Sequence, residues 1–65
     1  MKLSEIKTGM ILENTNSTTL VNVLSVEKHG FTAKEIGNVI GTFEVQNTGV
    51  YSEASVNYGS WKIKN

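Results

Sequence analysis

Polar and apolar residues alternate most regularly between Val39 and Gln46. Glycine and apolar residues occupy one parity, and polar residues occupy the other from Thr42 onward. Because successive side chains of a β-strand point to opposite faces, this segment predicts a half-buried strand in a small antiparallel sheet. Gly41 lies inside the segment, where a glycine predicts a bulge or a sharp bend. Phe43 is then a predicted core residue.

A second strand is predicted between Leu20 and Val26, where β-branched residues are dense. Apolar side chains fall on both parities of this run, which suits a tightly curved sheet that wraps onto itself. The next residues, 28–30, predict a hairpin turn in which Gly30 supplies a positive φ, and residues 31–36 then return as a strand. The alternative for this returning segment is a short helix that opens with a capping box at 32–35.

The start of the chain predicts one turn of helix before the first strand. Leu3 and Ile6 are three residues apart and would share one face of a helical or 3₁₀ turn, with Ser4 as its N-cap. Residues 10–12 are apolar and form the first predicted strand. The polar stretch 14–19 is rich in Asn, Ser and Thr, which favour turns, so it is the first candidate binding loop.

The second half of the chain predicts turns at 37–38 and 47–49, each containing a glycine. Residues 50–58 fit two interpretations: a further strand, because apolar residues alternate at its end, or a loop with a 3₁₀ turn. A short last strand is predicted over 61–64, with Trp61 and Ile63 inward and Lys62 and Lys64 outward.

Together these segments predict a single all-β domain over residues 1–65, with five or six short strands in a small antiparallel barrel. Two full sheets of a sandwich would need a longer chain. At this length folding buries only about 60% of the unfolded surface, so there is room for one thin core.

The order of elements resembles that of the small SH3-like barrels, including the KOW-type barrels. The resemblance rests on the turn, Gly9 and apolar strand within residues 3–12, then on a longer strand at 20–28, a tight turn, two more strands and a short last strand. It implies a domain that binds proteins, peptides or RNA and seldom catalyses. No functional residue is carried over from the family.

Charge and composition narrow the function classes. All six basic residues are lysine and all six acidic residues are glutamate, so the net charge is zero. A neutral chain has no long-range electrostatic attraction to phosphate backbones or membrane surfaces. Without arginine it also lacks the guanidinium group that binds phosphate with two hydrogen bonds. Without cysteine, disulfides and thiolate metal sites are excluded. No apolar run is long enough for a membrane span or a signal peptide, which predicts a cytoplasmic protein.

Enzymatic chemistry is not predicted, and neither is a cofactor or metal site. His29 is the only histidine and lies in a predicted turn, where it is expected to be solvated. As a general base it would need an orienting carboxylate and a nucleophile, and Glu27 and Ser25 are the nearest groups in the sequence. One histidine without cysteine does not supply the usual ligands of a transition metal.

A protein-interaction module is the predicted function. Tyrosine and tryptophan are favoured as interface anchors, and they are concentrated toward the end of the chain. Trp61 is expected in the core, whereas the tyrosines are candidates for contact with a partner. The predicted partner-binding residues are Tyr51, Tyr58, Phe31, Lys34 and Lys62.

The alternative function is binding of RNA or single-stranded DNA. Lysines would contact the backbone and the aromatic residues Phe31, Tyr51 or Tyr58 would stack on bases. The lysines considered are Lys28, Lys34, Lys62 and Lys64.

The small size and the abundance of Asn, Thr and Ser resemble the accessory proteins that phages encode to bind and modulate one host protein. Self-association is a further expectation, because a thin core is stabilised by pairing of two copies. A protein partner is therefore expected, with self-association as a further expectation and nucleic-acid binding as the alternative, and no membrane contact is expected.

Overall fold

Five β-strands, one 3₁₀ turn and one short α-helix form the described part of the chain. The computed structural model describes residues 1–38 and 47–64. In chain order the elements are the 3₁₀ turn Leu3–Glu5, β1 Ile11–Asn14, β2 Thr19–Glu27, β3 Gly30–Asn38, β4 Thr48–Ser52, α1 Glu53–Tyr58 and β5 Trp61–Ile63. The strand predicted over 39–46, with its bend at Gly41 and core residue Phe43, lies outside the described residues.

All strands belong to one antiparallel sheet in the order β4-β3-β2-β1-β5, which confirms the all-β prediction. The sheet is strongly curled. Tyr51 on β4 and Trp61 on β5 stand on opposite edges, about 19 Å apart in a flat sheet of this order, yet their ring centroids are 5.1 Å apart. Register shifts in the β2–β3 ladder, between Leu20 and Val21 and between Val23 and Ser25, supply bends of the kind that β-bulges introduce.

One face of the curled sheet holds the core, covered by the 3₁₀ turn and by α1. Leu3 and Ile6 of the first turn are buried there, as their spacing predicted, and Val56 is the buried residue of α1. Trp61 is 8% exposed, which confirms its predicted place in the core, whereas Ile63 lies opposite Leu12 but remains 37% exposed. The remaining core residues are Leu12, Val21, Val23, Phe31 and Ala33.

The predicted turn at 37–38 is wrong, and so is the one at 47–49. β3 continues through Asn38, which lies opposite Thr19 of β2. In the same way Thr48 and Gly49 belong to β4, opposite Lys34 and Ala33. Glycine and asparagine suggested turns locally, but ladder hydrogen bonds to neighbouring strands outweigh that preference.

Residues 50–58 are neither all strand nor a 3₁₀ loop. β4 runs to Ser52, and the α-helix begins at Glu53 because the Ser52 side chain accepts a hydrogen bond from the Ser55 N–H at 3.2 Å. Ser4 is likewise not an N-cap: the cap position of the first turn is Lys2, whose N–H donates to the Glu5 carboxylate at 2.7 Å. Residues 31–36 are strand, so the alternative helix is excluded.

Gly30 does not have the positive φ that the turn prediction gave it. Among the described residues, the positive φ values belong to Gly9 and Thr18. The β2–β3 turn consists of Lys28 and His29 alone, since Glu27 and Gly30 already pair. Gly30 is required for a different reason, because a Cβ at this position would meet the backbone carbonyl oxygen of Tyr51.

Candidate functional site

Two grooves flank the β2–β3 turn, and together they form what we call the hairpin surface. The first groove, of about 470 Å³, is lined mainly by apolar atoms and lies toward β4; its lining residues are Glu27, Lys28, His29, Gly30, Thr32, Val50, Tyr51 and Ser52. The second, of about 420 Å³, lies toward the 3₁₀ turn and is lined by Leu3, Ser4, Ile6, Val26, Glu27, Lys28 and Glu53. Glu27 and Lys28 line both grooves, so the two grooves adjoin at the turn.

Hydrogen bonds hold the hairpin surface in a fixed shape. The Glu53 N–H donates to the His29 carbonyl at 2.7 Å, which ties the start of α1 to the turn. One oxygen of the Glu27 carboxylate accepts from the Ser25 hydroxyl at 2.9 Å and from the Thr32 hydroxyl at 2.8 Å. A surface that is ordered before binding loses less conformational entropy when a partner docks.

Tyr51 is the aromatic residue of the first groove, and its ring is fixed by two other rings. It stacks on Phe31 with centroids 5.1 Å apart and an interplanar angle of 22°. It also meets Trp61 edge-on at 5.1 Å and 78°. Both arrangements are favourable aromatic geometries, and they pack the half-buried Tyr51 ring against buried core residues.

Burial raises the pKa of the Tyr51 hydroxyl above 10.0, and the negative charge of Glu35 raises it further. Between about pH 10 and the raised value, the unfolded chain has lost this proton while the folded chain keeps it. The free energy of unfolding should therefore fall as the pH rises through that window. Urea unfolding at a series of pH values would measure the effect.

A comparison between variants assigns the pH dependence to Tyr51. Tyr51→Phe should flatten the fall in stability with pH relative to the unmodified chain, whereas Tyr58→Phe, at a residue 91% exposed, should leave the profile unchanged. Equal profiles for Tyr51→Phe and the unmodified chain would contradict the assignment.

The structure brings only part of the predicted partner-binding set together. Tyr51 lines the first groove, but Phe31 beneath it is 0% exposed and offers no surface for stacking or contact. Tyr58 is 91% exposed at the end of α1 and lines neither groove. Lys34 and Lys62 are on other strands, opposite Thr48 and Glu13 respectively.

The sequence interpretation missed Val50 and the hairpin residues. Val50 is 80% exposed on β4 beside Tyr51. The exposure of Val50 could not be predicted from the sequence, because the pattern did not show that the strand ends at residue 52 and the helix begins at residue 53. Lys28 and His29 were recognised as a turn, but their place between two grooves depends on β4 and the 3₁₀ turn packing on either side of it.

The side chains of Ser25, Glu27 and His29 are not hydrogen-bonded to one another in the order of a catalytic triad. The Ser25 hydroxyl donates to Glu27 rather than to a base, and His29 is an exposed turn residue. Within residues 1–38 and 47–64, no cluster of three or more acidic or histidine side chains is placed to hold a metal ion. No helix in those same ranges has the length and apolar character needed to cross a bilayer.

Hydrogen bonds order the polar loop between β1 and β2. The Asn14 side-chain oxygen accepts from the N–H groups of Asn16 and Ser17 at 3.0 and 3.4 Å. The Thr15 N–H donates to the Ser60 carbonyl at 2.6 Å, and the Thr18 hydroxyl lies 2.9 Å from the Asn38 side-chain oxygen. These bonds give the loop a structural role in joining β5 and β3 to the start of β2.

Comparison with protein-family models, with curated proteins and with solved structures finds no match to this chain. The features that bear on function are therefore the hairpin surface and the edges of the sheet.

Proposed function

We propose that this chain is a non-enzymatic protein-interaction module of the SH3-like kind, which binds a partner protein through the hairpin surface. The observation that supports this most is the apolar groove of about 470 Å³ beside the turn, whose lining includes Val50, a residue 80% exposed. An exposed apolar side chain at a groove is a contact point for an apolar side chain of a partner.

The charges around the hairpin surface favour a protein partner over a strongly charged polymer. Glu27 and Lys28 line both grooves, and Glu53 lines the second. Charges of both signs at the rim of an apolar patch are typical of protein interfaces, where they set orientation and exclude wrong partners.

The order of elements supports the SH3-like part of the proposal. A 3₁₀ turn precedes the first strand, a nine-residue strand follows, a tight turn leads into two further strands, and a three-residue strand ends the sheet. The helix α1 before the last strand is an addition to that pattern. The small size, zero net charge and polar composition favour an accessory protein of the phage type, acting in the cytoplasm on one host protein.

Reversal of the charge at Lys28 tests this proposal. Lys28→Glu places a negative charge between the two grooves, next to Glu27, and should reduce capture of the partner from a host lysate about tenfold, equivalent to about 1.4 kcal/mol. Affinity purification followed by quantitative mass spectrometry measures the loss. The matched control is Lys62→Glu, the same change on the far edge of the sheet, which should leave capture unchanged.

Two results would contradict the proposal. Recovery of no specific protein by the unmodified chain would argue against an interaction module, and equal losses for Lys28→Glu and Lys62→Glu would move the site away from the hairpin surface. Circular dichroism of both variants establishes that each remains folded.

Nucleic-acid binding has weaker structural support. Lys34 is opposite Asn22 and Thr48, and Lys62 is opposite Glu13, whereas Phe31 is buried and Tyr51 faces the core side. Lys64 is 3.5 Å from the Glu13 carboxylate. Lys34 and Lys62 thus lie on a different face of the sheet from Phe31 and Tyr51. Steep salt-dependent retention on heparin, with a mobility shift at low salt, would favour this alternative.

A further inference from the structure

Strand β4 forms one edge of the sheet and lacks the usual protection against pairing with another strand. Residues Thr48–Ser52 include no charge and no proline, and Val50 at the centre is 80% exposed. The other edge, β5, is three residues long and has lysines at 62 and 64. Native edge strands are commonly short or guarded by lysine, as β5 is. Of the two edges in the described sheet, β4 is the open one.

The hydrogen-bond phase of the β3–β4 ladder determines which groups of β4 face outward. The Glu35 N–H donates to the Asn47 carbonyl at 2.8 Å, and the Glu53 N–H donates to the His29 carbonyl at 2.7 Å. Hydrogen-bonded and non-hydrogen-bonded pairs alternate along an antiparallel ladder, and the register between these two bonds is unbroken. The inward-bonding residues are therefore Gly49 and Tyr51, and the outward-facing ones are Thr48, Val50 and Ser52.

We infer that β4 is a self-association edge, which pairs antiparallel with β4 of a second copy of this chain about a two-fold axis at Val50. In this register each of the three outward-facing residues is paired. Val50 lies opposite Val50 of the second copy, and Thr48 lies opposite Ser52 of the second copy. Val50 exchanges backbone hydrogen bonds with its counterpart, and the Ser52 N–H donates to the Thr48 carbonyl across the axis. The Ser52 carbonyl stays with α1, since Ser52 is the N-cap.

The side chains of β4 are complementary to themselves in this register. The exposed Val50 side chains meet each other on one face, and hydroxyl residues meet hydroxyl residues. On the core side, Tyr51 lies opposite Gly49 of the second copy, so each ring meets a residue without a side chain. If the axis passed through residue 51 instead, the two Tyr51 rings would lie opposite each other. With zero net charge, two copies do not repel each other at long range.

The size of the contact predicts a weak dimer. A strand of five residues is about 17 Å long, and one such strand from each copy buries less than the about 1,200 Å² at the lower end of stable interfaces. Association should therefore appear only at high concentration. The inference does not depend on the proposed function, although Val50 and Ser52 belong both to the β4 edge and to the lining of the first groove. Lys28 lines both grooves but is not part of β4, so a change there tests the two proposals separately.

Sedimentation equilibrium from about 20 µM to about 1 mM, the range in which contacts of this size associate, tests the inference. The unmodified chain should shift from one to two chains per particle. Over the same range, amide exchange by NMR should slow at Val50 and Ser52, whose N–H groups become bonded. Val50→Lys should remain a single chain throughout, because a lysine on each copy would be opposed across the axis.

The matched control is Leu24→Lys, which adds the same charge at a residue 47% exposed on the interior strand β2 and should still associate. Lys28→Glu should also associate, which separates this result from failure of the partner-binding proposal. A single chain at every concentration, or association that survives Val50→Lys, would overturn the inference. Loss of association in Leu24→Lys would overturn it too.

Discussion

Phe31→Ala should remove a large part of the folding stability of this protein. Phe31 is 0% exposed and touches both other rings of the aromatic cluster, with centroids 5.1 Å from Tyr51 and 5.4 Å from Trp61. Removing a buried phenylalanine costs about 3–5 kcal/mol. At about 0.05–0.15 kcal/mol per residue, a chain of this length has only about 3–10 kcal/mol of stability to lose.

Circular dichroism and proton NMR would measure the effect of Phe31→Ala, with a much lower melting temperature as the expected result. The control is Tyr58→Ala, which removes an aromatic ring that is 91% exposed and should change the melting temperature little. A folded Phe31→Ala variant with a melting temperature near that of the unmodified chain would show that the curled sheet does not depend on the cluster.

Gly30→Ala should strongly destabilise the pairing of β3 with β4. A Cβ at this position would meet the backbone carbonyl oxygen of Tyr51 and would lie 3.2 Å from the Ser52 Cα. Backbone atoms cannot rotate away as a side chain can, so β3 and β4 would have to separate. Overpacking of this kind costs about 1–3 kcal/mol or more, and here it also displaces Tyr51 from the hairpin surface.

Gly49→Ala is the matched test for Gly30→Ala. The new methyl group would meet the Tyr51 side chain at 3.2–3.3 Å, and a side chain can shift by a few tenths of an ångström. Urea unfolding should therefore rank Gly30→Ala as clearly less stable than Gly49→Ala. The reverse order, or equal midpoints, would mean that the close approach at Gly30 is relieved at little cost.

The fold class could be predicted from the sequence because it depends on local periodicity. The β-branched run at 20–26 and the return at 31–36 both form strands, and the first helical turn lies where Leu3 and Ile6 placed it. Strand ends were less predictable. Gly37 and Gly49 resemble turn residues in isolation, but each is held in a ladder by a strand that is distant in sequence.

The candidate site could be predicted only in part, because a groove is a property of packing. Tyr51 was identified from its residue type, and it does line the first groove. Phe31 has the same residue character but sits on the buried face, and nothing local distinguishes the two rings before the sheet curls. Which backbone groups of β4 face away from β3 is likewise shown by the hydrogen bond between Glu53 and His29, and no local sequence pattern indicates that bond.

The exposed position of Tyr58 makes this protein easy to attach to a surface or a probe. The chain contains no cysteine, so Tyr58→Cys would provide a single thiol for chemical coupling. Residue 58 ends α1 and lines neither groove, and it is not part of β4. Molecules immobilised or labelled through this thiol would all be oriented alike, with the hairpin surface and the β4 edge both left accessible.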